Sequence, residues 1–115
     1  MDKIKNEVSW STFEQVDIRV GTIIKAEAFP EARKAAYKLW VDLGALGIKK
    51  SSAQVTEHYT MLELTGKQVV CIINFGEKQI GPFTSQLLIT GFADENGEVI
   101  LTTVDKKVPN GAKLF

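Results

Sequence analysis

Apolar and polar residues alternate along much of this chain, and this period of two restricts the fold more than any other feature of the sequence. The alternation runs from residue 16 to residue 28, just before Pro30, and resumes from residue 37 to residue 43. Such a period is typical of a strand with one buried face. The face of the first strand predicted to point inward carries Ile18, Val20, Ile24, Ala26 and Ala28. The second strand is predicted to bury Tyr37, Leu39, Val41 and Leu43.

The middle of the chain predicts a hairpin, a helix and a covered strand. Residues 44–47 supply a tight reversal into a third strand over residues 48–55. Residues 56–64 indicate a short helix, in which Thr60 and Glu63 form a capping box and Gly66 marks the stop. Residues 67–74 are apolar on both faces, which is typical of a strand that is covered on both sides.

The two ends of the chain complete the predicted fold. Residues 76–81 form a charged loop and residues 83–92 a strand, which Asn96-Gly97 joins to a last strand over residues 99–104. A short helix over residues 9–15 comes first, capped by Ser9 or by Ser11. The order strand, hairpin, helix, strand, hairpin predicts an all-β fold, a five-stranded Greek-key OB-fold barrel with a short helix between strands three and four. We expect one domain over residues 1–115, with an N-terminal helical segment (1–15), barrel and hairpin (16–104) and a C-terminal tail (105–115).

The charge balance argues against a strongly basic nucleic-acid binder. The chain has 14 Lys and Arg residues against 14 Asp and Glu residues, and its net charge is therefore zero. Phosphate contacts draw on an excess of cations that this sequence lacks overall. A local basic stripe is still compatible with the sequence, because several cations fall where OB-folds bind nucleic acid, with Trp40 facing outward beside them. They are Arg33, Lys34, Lys38, Lys49, Lys50 and Lys78. Alternatively, these are ordinary surface charges and the Trp covers the barrel or a partner subunit.

The sequence contains no recognisable catalytic, metal or cofactor motif. Cys71 is its one cysteine and His58 its one histidine, so neither a disulfide nor a Cys/His metal cluster can form within the chain. Cys71 alternates with Val69 and Ile73, which predicts a buried, inert thiol, and His58 is predicted to lie on the helix surface. We therefore expect no enzyme activity and no cofactor. The absence of a signal-like or membrane-spanning apolar run predicts a cytoplasmic protein without membrane insertion.

Several segments together resemble the tRNA-binding domain family. They are Asp-Ile-Arg-Val-Gly-Thr-Ile at residues 17–23, Val-Asp-Leu-Gly at 41–44 and Leu-Thr-Gly-Lys-Gln-Val at 64–69, followed by Asn74. The motifs typical of tRNA binders are degraded at residues 29–36 and 74–78, and Leu88 replaces a methionine, although Ser85 matches. Residues 81–87 and 108–114 are similar to the CsaA branch of the family, the secretion-associated chaperones. The resemblance implies a homodimer that binds unfolded or pre-secretory polypeptides without ATP, with residual tRNA affinity as a further expectation.

These inferences define three sets of candidate residues. A polypeptide would contact Phe29, Phe75 and Phe83, rimmed by Lys34 and Lys78, unless these rings simply close the ends of the barrel. In the alternative function, a tRNA-binding module, lysines neutralise phosphates while two polar side chains donate or accept hydrogen bonds. That RNA-binding set is Lys34, Lys38, Asn74, Lys78 and Ser85. The dimer interface is predicted at Trp10, Phe13, Leu114 and Phe115, because these exceed what one small barrel can bury.

Overall fold

The computed structural model describes residues 2–115, in which short elements surround one five-stranded sheet. The helices are α1 (Trp10–Phe13) and α2 (Met61–Leu64), with a 3-10 turn at Gly44–Leu46. The strands of the main sheet are β1 (Ile18–Ala28), β2 (Tyr37–Asp42), β3 (Ile48–Ala53), β4 (Gln68–Ile72) and β7 (Leu88–Ile89). Two hairpins join it, β5 (Lys78–Ile80) with β6 (Phe83–Ser85), and β8 (Gly91–Ala93) with β9 (Val99–Leu101).

The main sheet curls into a nearly closed barrel. Its strand order is β3-β2-β1-β4-β7, and the long β1 pairs with β4 through its first half and with β2 through its second. Gln86 brings the two ends of the sheet together, because its backbone N–H donates to the Lys50 carbonyl (2.8 Å) and its side-chain oxygen accepts from the Lys50 N–H (3.1 Å). This arrangement confirms the predicted OB-fold barrel.

The core lies inside this barrel. Its fully buried side chains come from β1, β2, β4, the end of α2 and the loop after β2, and Val55, Leu87 and Ile89 extend it. Seven of these residues have no exposed surface, namely Ile23, Leu39, Val41, Leu43, Leu64, Val69 and Cys71. Gly21 is required beside them, since a Cβ there would lie 2.4 Å from the Cγ1 of Val41.

The prediction that Ile24 points inward is wrong. Ile23 is fully buried and Ile24 is 43% exposed, because the pairing of β1 with β2 shifts register between Ile23 and Lys25. Such a bulge inserts one unpaired residue and re-phases the strand. Strict alternation therefore fails at this point, although Ala26 again packs on the core.

The predicted strand over residues 83–92 is also wrong as a single element. It is divided into β6, β7 and β8, because Gln86 turns aside to bond β3 and Thr90 bonds Val70. The charged loop over residues 76–81 contains β5, which pairs with β6 across the Gly81–Pro82 turn. The helix predicted over residues 56–64 is limited to α2, and its capping box between Thr60 and Glu63 is confirmed. At the other helix, Ser9 is confirmed as the N-cap of α1.

The C-terminal tail extends the sheet along the first half of β1. The N–H of Gly111 donates to the Val20 carbonyl (2.6 Å), the N–H of Val20 to the Ala112 carbonyl (3.0 Å) and the N–H of Leu114 to the Ile18 carbonyl (2.9 Å). The tail thus occupies the edge of β1 that β2 leaves unpaired. Val70 on β4 and the tail residues Ala112 and Leu114 line one apolar cleft.

A side-chain hydrogen bond ties the β8–β9 hairpin to the segment before α2. His58 Nε2 lies 2.7 Å from the Asp94 Oδ2. The pKa of Asp94 is lowered below its ordinary value because its carboxylate accepts hydrogen bonds from the Glu98 N–H, from His58 and from the Asn96 N–H. Gly97 in the turn adopts a φ of 81°, which fits the predicted Asn-Gly hairpin.

We expect Asp94 to make the fold sensitive to acid. A carboxylate whose pKa is depressed in the folded state stabilises the protein above its unfolded pKa, about 3.9, and this stabilisation is lost as the pH falls through the lower folded pKa. The Asp94→Asn variant should therefore lose stability at pH 7 and show a smaller further loss between pH 5 and about 2 than the parent. Urea unfolding at several pH values checks this, with Glu95→Gln as the matched control. An unchanged acid response in Asp94→Asn would contradict it.

Candidate polypeptide and RNA interface

A second, smaller cluster of aromatic side chains lies outside the barrel core. Phe29 follows β1 and Phe83 begins β6, and their ring centroids are 5.4 Å apart at an interplanar angle of 58°. Trp40 on β2 meets the Phe83 ring edge-on at 6.1 Å. Phe29 and Phe83 are only 4% and 5% exposed. Two of the three predicted peptide contacts are therefore packed against each other, whereas the third, Phe75, is 65% exposed.

Three lysines gather over this aromatic cluster. Lys38 Nζ lies 5.0 Å from the Phe29 centroid and 5.6 Å from that of Phe83, and Lys50 Nζ lies 5.0 Å from Phe83. Lys25 Nζ lies 4.7 Å from the Trp40 ring and 2.9 Å from Glu27 Oε2. A cation over an aromatic face is worth ~0.5–1 kcal/mol at exposed sites. We call Lys25, Lys38, Lys50, Trp40 and Phe83 the aromatic–lysine face.

Sequence reasoning missed Lys25 as part of this face. The signal lies in the strand register, in which Lys25 pairs with Trp40 and Trp40 with Lys50 across three neighbouring strands. The bulge at Ile24 hides this register from a simple count along β1. Cross-strand neighbours of this kind are close enough for their side chains to interact.

Asn74 and Ser85, the two polar members of the predicted RNA-binding set, bind the chain itself. The Asn74 oxygen accepts from the Asp17 N–H (2.9 Å), and its amide donates to the Gln15 carbonyl (2.7 Å). Ser85 is 9% exposed and its hydroxyl lies 3.0 Å from that of Ser51 and 3.3 Å from the Leu87 carbonyl. Both side chains hold loops in place in this structure, and their role toward RNA stays a prediction.

Lys34 and Lys78 both line a recess beside the β5–β6 hairpin. This recess, of about 350 Å³, is also lined by Arg33, Ser52 and Gln54. It continues into a second recess of about 420 Å³, whose walls include Phe75, Ser85 and Lys78. The structure thus brings together members of both predicted sets, with Lys38 on the neighbouring aromatic–lysine face.

The four residues predicted to form a dimer interface surround one cleft. Trp10 and Phe13 of α1 and Leu114 and Phe115 of the tail all line this cleft of about 470 Å³, together with residues of the segment that leads into β1. Trp10 is 81% exposed and Leu114 51% exposed, although both are apolar over most of their surface. Arg19 and Asp17 form an ion pair of 2.6 Å in the lining of the cleft. Exposed apolar side chains grouped in this way are typical of a surface that binds another protein.

Cys71 does not contribute a reactive group to any of these surfaces. The residue has no exposed surface, and burial raises the pKa of its thiol to about 12. A thiol in this state is not a nucleophile near neutral pH.

Within residues 2–115, no group of three or more His, Cys, Asp or Glu side chains is arranged to hold a metal ion. Every helix in the same range is too short to cross a membrane.

The barrel and its basic, aromatic surface define a binding module of the OB-fold class. The family described as "Putative tRNA binding domain" matches residues 18–113. The chain belongs to this tRNA-binding domain family, which is a binding domain and not a catalytic one. The expectation drawn from the sequence motifs is thereby confirmed at the level of the family.

Solved structures of chaperones closely resemble this fold. The chaperone CsaA of Bacillus anthracis str. Ames superimposes with a TM-score of 0.90 at 39% identity, covering 96% of this chain and 100% of that one. The CsaA chaperone protein of Picrophilus torridus gives a TM-score of 0.88 at 40% identity, covering 95% of this chain and 100% of that one. The predicted resemblance to the CsaA branch is confirmed.

Methionine–tRNA ligases are related to the chain over a small part of their length. The enzyme of Methanocaldococcus jannaschii is 32% identical over 108 residues, which are 94% of this chain and 16% of the enzyme. That of Thermotoga maritima is 32% identical over 111 residues, 96% of this chain and 17% of the enzyme. The chain therefore spans about a sixth of the curated relatives that it matches.

Proposed function

We propose that this protein is an ATP-independent chaperone that binds unfolded or pre-secretory polypeptides as a homodimer in the cytoplasm. The observation that carries the proposal is its similarity to two CsaA chaperones, which extends over their whole chains and 95–96% of this one. The similarity to methionine–tRNA ligases covers only a sixth of those enzymes. The whole length of the CsaA chaperones is matched, whereas five sixths of each ligase lies outside the match and its catalytic site can reside there, so the chaperones are the better guide to function.

The surface around Phe75 supports polypeptide binding. Phe75 is 65% exposed and Leu88, which lines the same recess, is 46% exposed. An unfolded chain presents apolar side chains that gain free energy when they leave water, about 1.5–3 kcal/mol for one large side chain. In this proposal Phe75 contacts the ligand directly, whereas the packed rings of Phe29 and Phe83 hold Lys38 and Lys50 at the surface from beneath.

The cleft between α1 and the tail supports the homodimer. Trp10, Phe13, Leu114 and Phe115 all line it, and two copies related by a two-fold axis would cover these side chains mutually. A stable interface of this kind buries about 1,200–2,000 Å² in total. The dimer presents two binding surfaces on one rigid body, so that a single extended polypeptide can engage both with raised avidity.

We expect polypeptide binding to depend on Phe75 and to resist salt. A reduced, unfolded polypeptide labelled with a fluorophore is titrated with the protein at about 0.15 and 0.5 M salt. Phe75→Ala should weaken binding about tenfold, and Phe92→Ala, a matched loss of a ring that is 73% exposed on β8, should not. Apolar contacts persist as the salt concentration rises, unlike phosphate contacts. Equal binding by the two variants would contradict the role of Phe75.

A tRNA-binding module is the second candidate, favoured by the aromatic–lysine face. Lys34, Lys38 and Lys78 can neutralise phosphates, but a chain with zero net charge offers few such contacts. We therefore expect tRNA binding to be weak, to fall steeply with salt and to be abolished in the double variant Lys34→Glu/Lys38→Glu. Lys106→Glu serves as a charge control outside both recesses. A submicromolar tRNA complex that is insensitive to salt would contradict this expectation of weak, phosphate-driven binding.

A further inference from the structure

The outer face of the β8–β9 hairpin is apolar and exposed. Phe92 on β8 pairs directly with Ile100 on β9, so their side chains lie on the same face of the hairpin. They are 73% and 40% exposed, whereas the neighbouring Val99 and Leu101 turn the other way and pack on the core. Neither Phe92 nor Ile100 lines a recess or cleft described above. The hairpin thus presents an apolar pair to solvent, apart from the sites already described.

The strand β8 also has one unpaired edge. The Asp94 N–H donates to the Glu98 carbonyl (2.9 Å), so the even-numbered residues of β8 are the ones that bond β9. Gly91 and Ala93 therefore turn their N–H and C=O groups to the opposite edge, with which no strand of residues 2–115 pairs. All three residues of β8 are exposed, and the strand has no Lys, Pro or bulge of the kind that protects edges. This edge is a template for one further strand.

The zero net charge of the chain hides an uneven distribution. Residues 51–66 and 79–105 contain no Lys or Arg, although they hold six of the 14 acidic residues. These two segments meet, because His58 bonds Asp94 (2.7 Å) and the Tyr59 hydroxyl accepts from the Leu101 N–H (3.0 Å). Lys67 lies at their border, with its Nζ 5.8 Å from the Tyr59 ring. We call the two segments the acidic region, and its acidic residues are Glu57, Glu63, Asp94, Glu95, Glu98 and Asp105.

The acidic region determines which partner fits the apolar pair. Asp94 follows Phe92 by two residues and Glu98 precedes Ile100 by two, which places a carboxylate beside each apolar side chain along its strand. A segment that carries cations next to its apolar residues meets opposite charges here, whereas RNA and acidic segments are repelled. The recesses that Lys78 lines have the opposite preference.

We propose that the free edge of β8 binds an extended segment of a partner protein as an added strand, and selects a segment whose large apolar residue is flanked by Lys or Arg. The main chain of this segment bonds Gly91 and Ala93, its apolar side chain covers Phe92, and its cations meet Glu95 and Glu98. Main-chain pairing gives affinity in this mode of recognition, and the side-chain contacts give specificity. This docking surface goes beyond the proposed chaperone function, since it leaves the Phe75 recess free for an unfolded polypeptide.

Amide hydrogen exchange tests the added strand residue by residue. The probe is a basic peptide of alternating Leu and Thr residues with two Lys at each end, and its acidic counterpart carries Glu in place of Lys. At saturating basic peptide, exchange at Gly91 and Ala93 of the ¹⁵N-labelled full chain should slow at least tenfold. The Phe92 amide already bonds β9 and should change much less. Unchanged exchange at Gly91 and Ala93 would overturn the added strand.

A charge swap tests the selectivity. Affinities are read at about 0.15 M salt from the Gly91 and Ala93 amide signals, so that binding elsewhere does not contribute. The basic peptide should bind about tenfold more tightly than the acidic one, and Glu95→Lys/Glu98→Lys should reverse this order. The control Glu7→Lys/Glu31→Lys alters two exposed carboxylates elsewhere by the same net charge and should keep the order. A folding defect weakens both peptides and cannot reverse them. Equal affinities in the wild type would overturn the selectivity.

Two phenylalanine variants let this inference and the proposed function fail separately. Phe92→Ala should weaken the basic peptide about tenfold and leave the unfolded polypeptide unaffected, whereas Phe75→Ala should do the reverse. If Phe92→Ala binds the basic peptide as tightly as the wild type does, the docking surface is wrong and the chaperone proposal stands. If the basic peptide needs Phe92 but no unfolded polypeptide binds, the chaperone proposal alone fails. A wild type that sediments above the dimer mass, with Phe92→Glu at the dimer mass, would assign the edge to a second copy and overturn the proposal.

Discussion

Leu64→Ala is expected to destabilise the fold by about 2–5 kcal/mol, while the same substitution at Leu62 changes stability by less than about 0.5 kcal/mol. The two leucines are two residues apart on α2, but Leu64 has no exposed surface and Leu62 is 88% exposed. Truncating Leu64 removes buried methyl groups and leaves a cavity in the core, whereas truncating Leu62 removes methyl groups that are already in water. The pair therefore isolates burial, since residue type, helix and helix propensity are shared.

Chemical unfolding in urea at pH 7 measures this difference, with the slope of the transition compared between the two variants. An equal shift of the midpoint in both would contradict the position of α2 against the barrel.

Trp10→Glu is expected to raise the dimer dissociation constant at least 100-fold. Trp10 stands 81% exposed on the wall of the cleft that we assign to the dimer, where a buried Trp would carry much of the binding free energy. A carboxylate in its place would face the same residue set on the partner across the two-fold axis. Phe92→Glu, an aromatic-to-acid change on β8 that is 73% exposed in the single chain, is the control.

Sedimentation equilibrium at micromolar concentration reads out this prediction. The unchanged protein and the Phe92→Glu control should both sediment at twice the chain mass of 12.7 kDa. The Trp10→Glu variant should sediment at the mass of a single chain. A wild-type species of one chain mass would contradict the dimer. Deleting the tail is a poorer test, because Gly111, Ala112 and Leu114 also bond β1.

Local patterns in the sequence predicted most of the fold. The capping box at Thr60 and Glu63, the Ser9 cap and the Asn96-Gly97 turn are set by residues next to one another, and all three are present. The period of two identified the buried residues of β2, since no bulge interrupts that strand. Where the register of one strand against another decides the outcome, as at Ile24, the pattern along a single strand gives the wrong face.

The candidate sites depended on contacts that are distant along the chain. Asn74 bonds partners 57 and 59 residues away, and Ser85 bonds Ser51, 34 residues away. A motif shows that such side chains recur in a family but not which backbone they hold. The pairing of Phe29 with Phe83 depended in the same way on the β5–β6 hairpin, which the sequence did not predict.

Suppression of aggregation in the absence of ATP tests the central claim most directly. A chemically unfolded globular protein is diluted into nucleotide-free buffer at about 0.15 M salt, and its light scattering is followed with increasing amounts of this protein. The account predicts that scattering falls in proportion to the dimer added, and that Phe75→Ala suppresses it less well than Phe92→Ala. Scattering that stays unchanged at a large excess of the protein, while the same preparation binds bulk tRNA, would contradict the chaperone function.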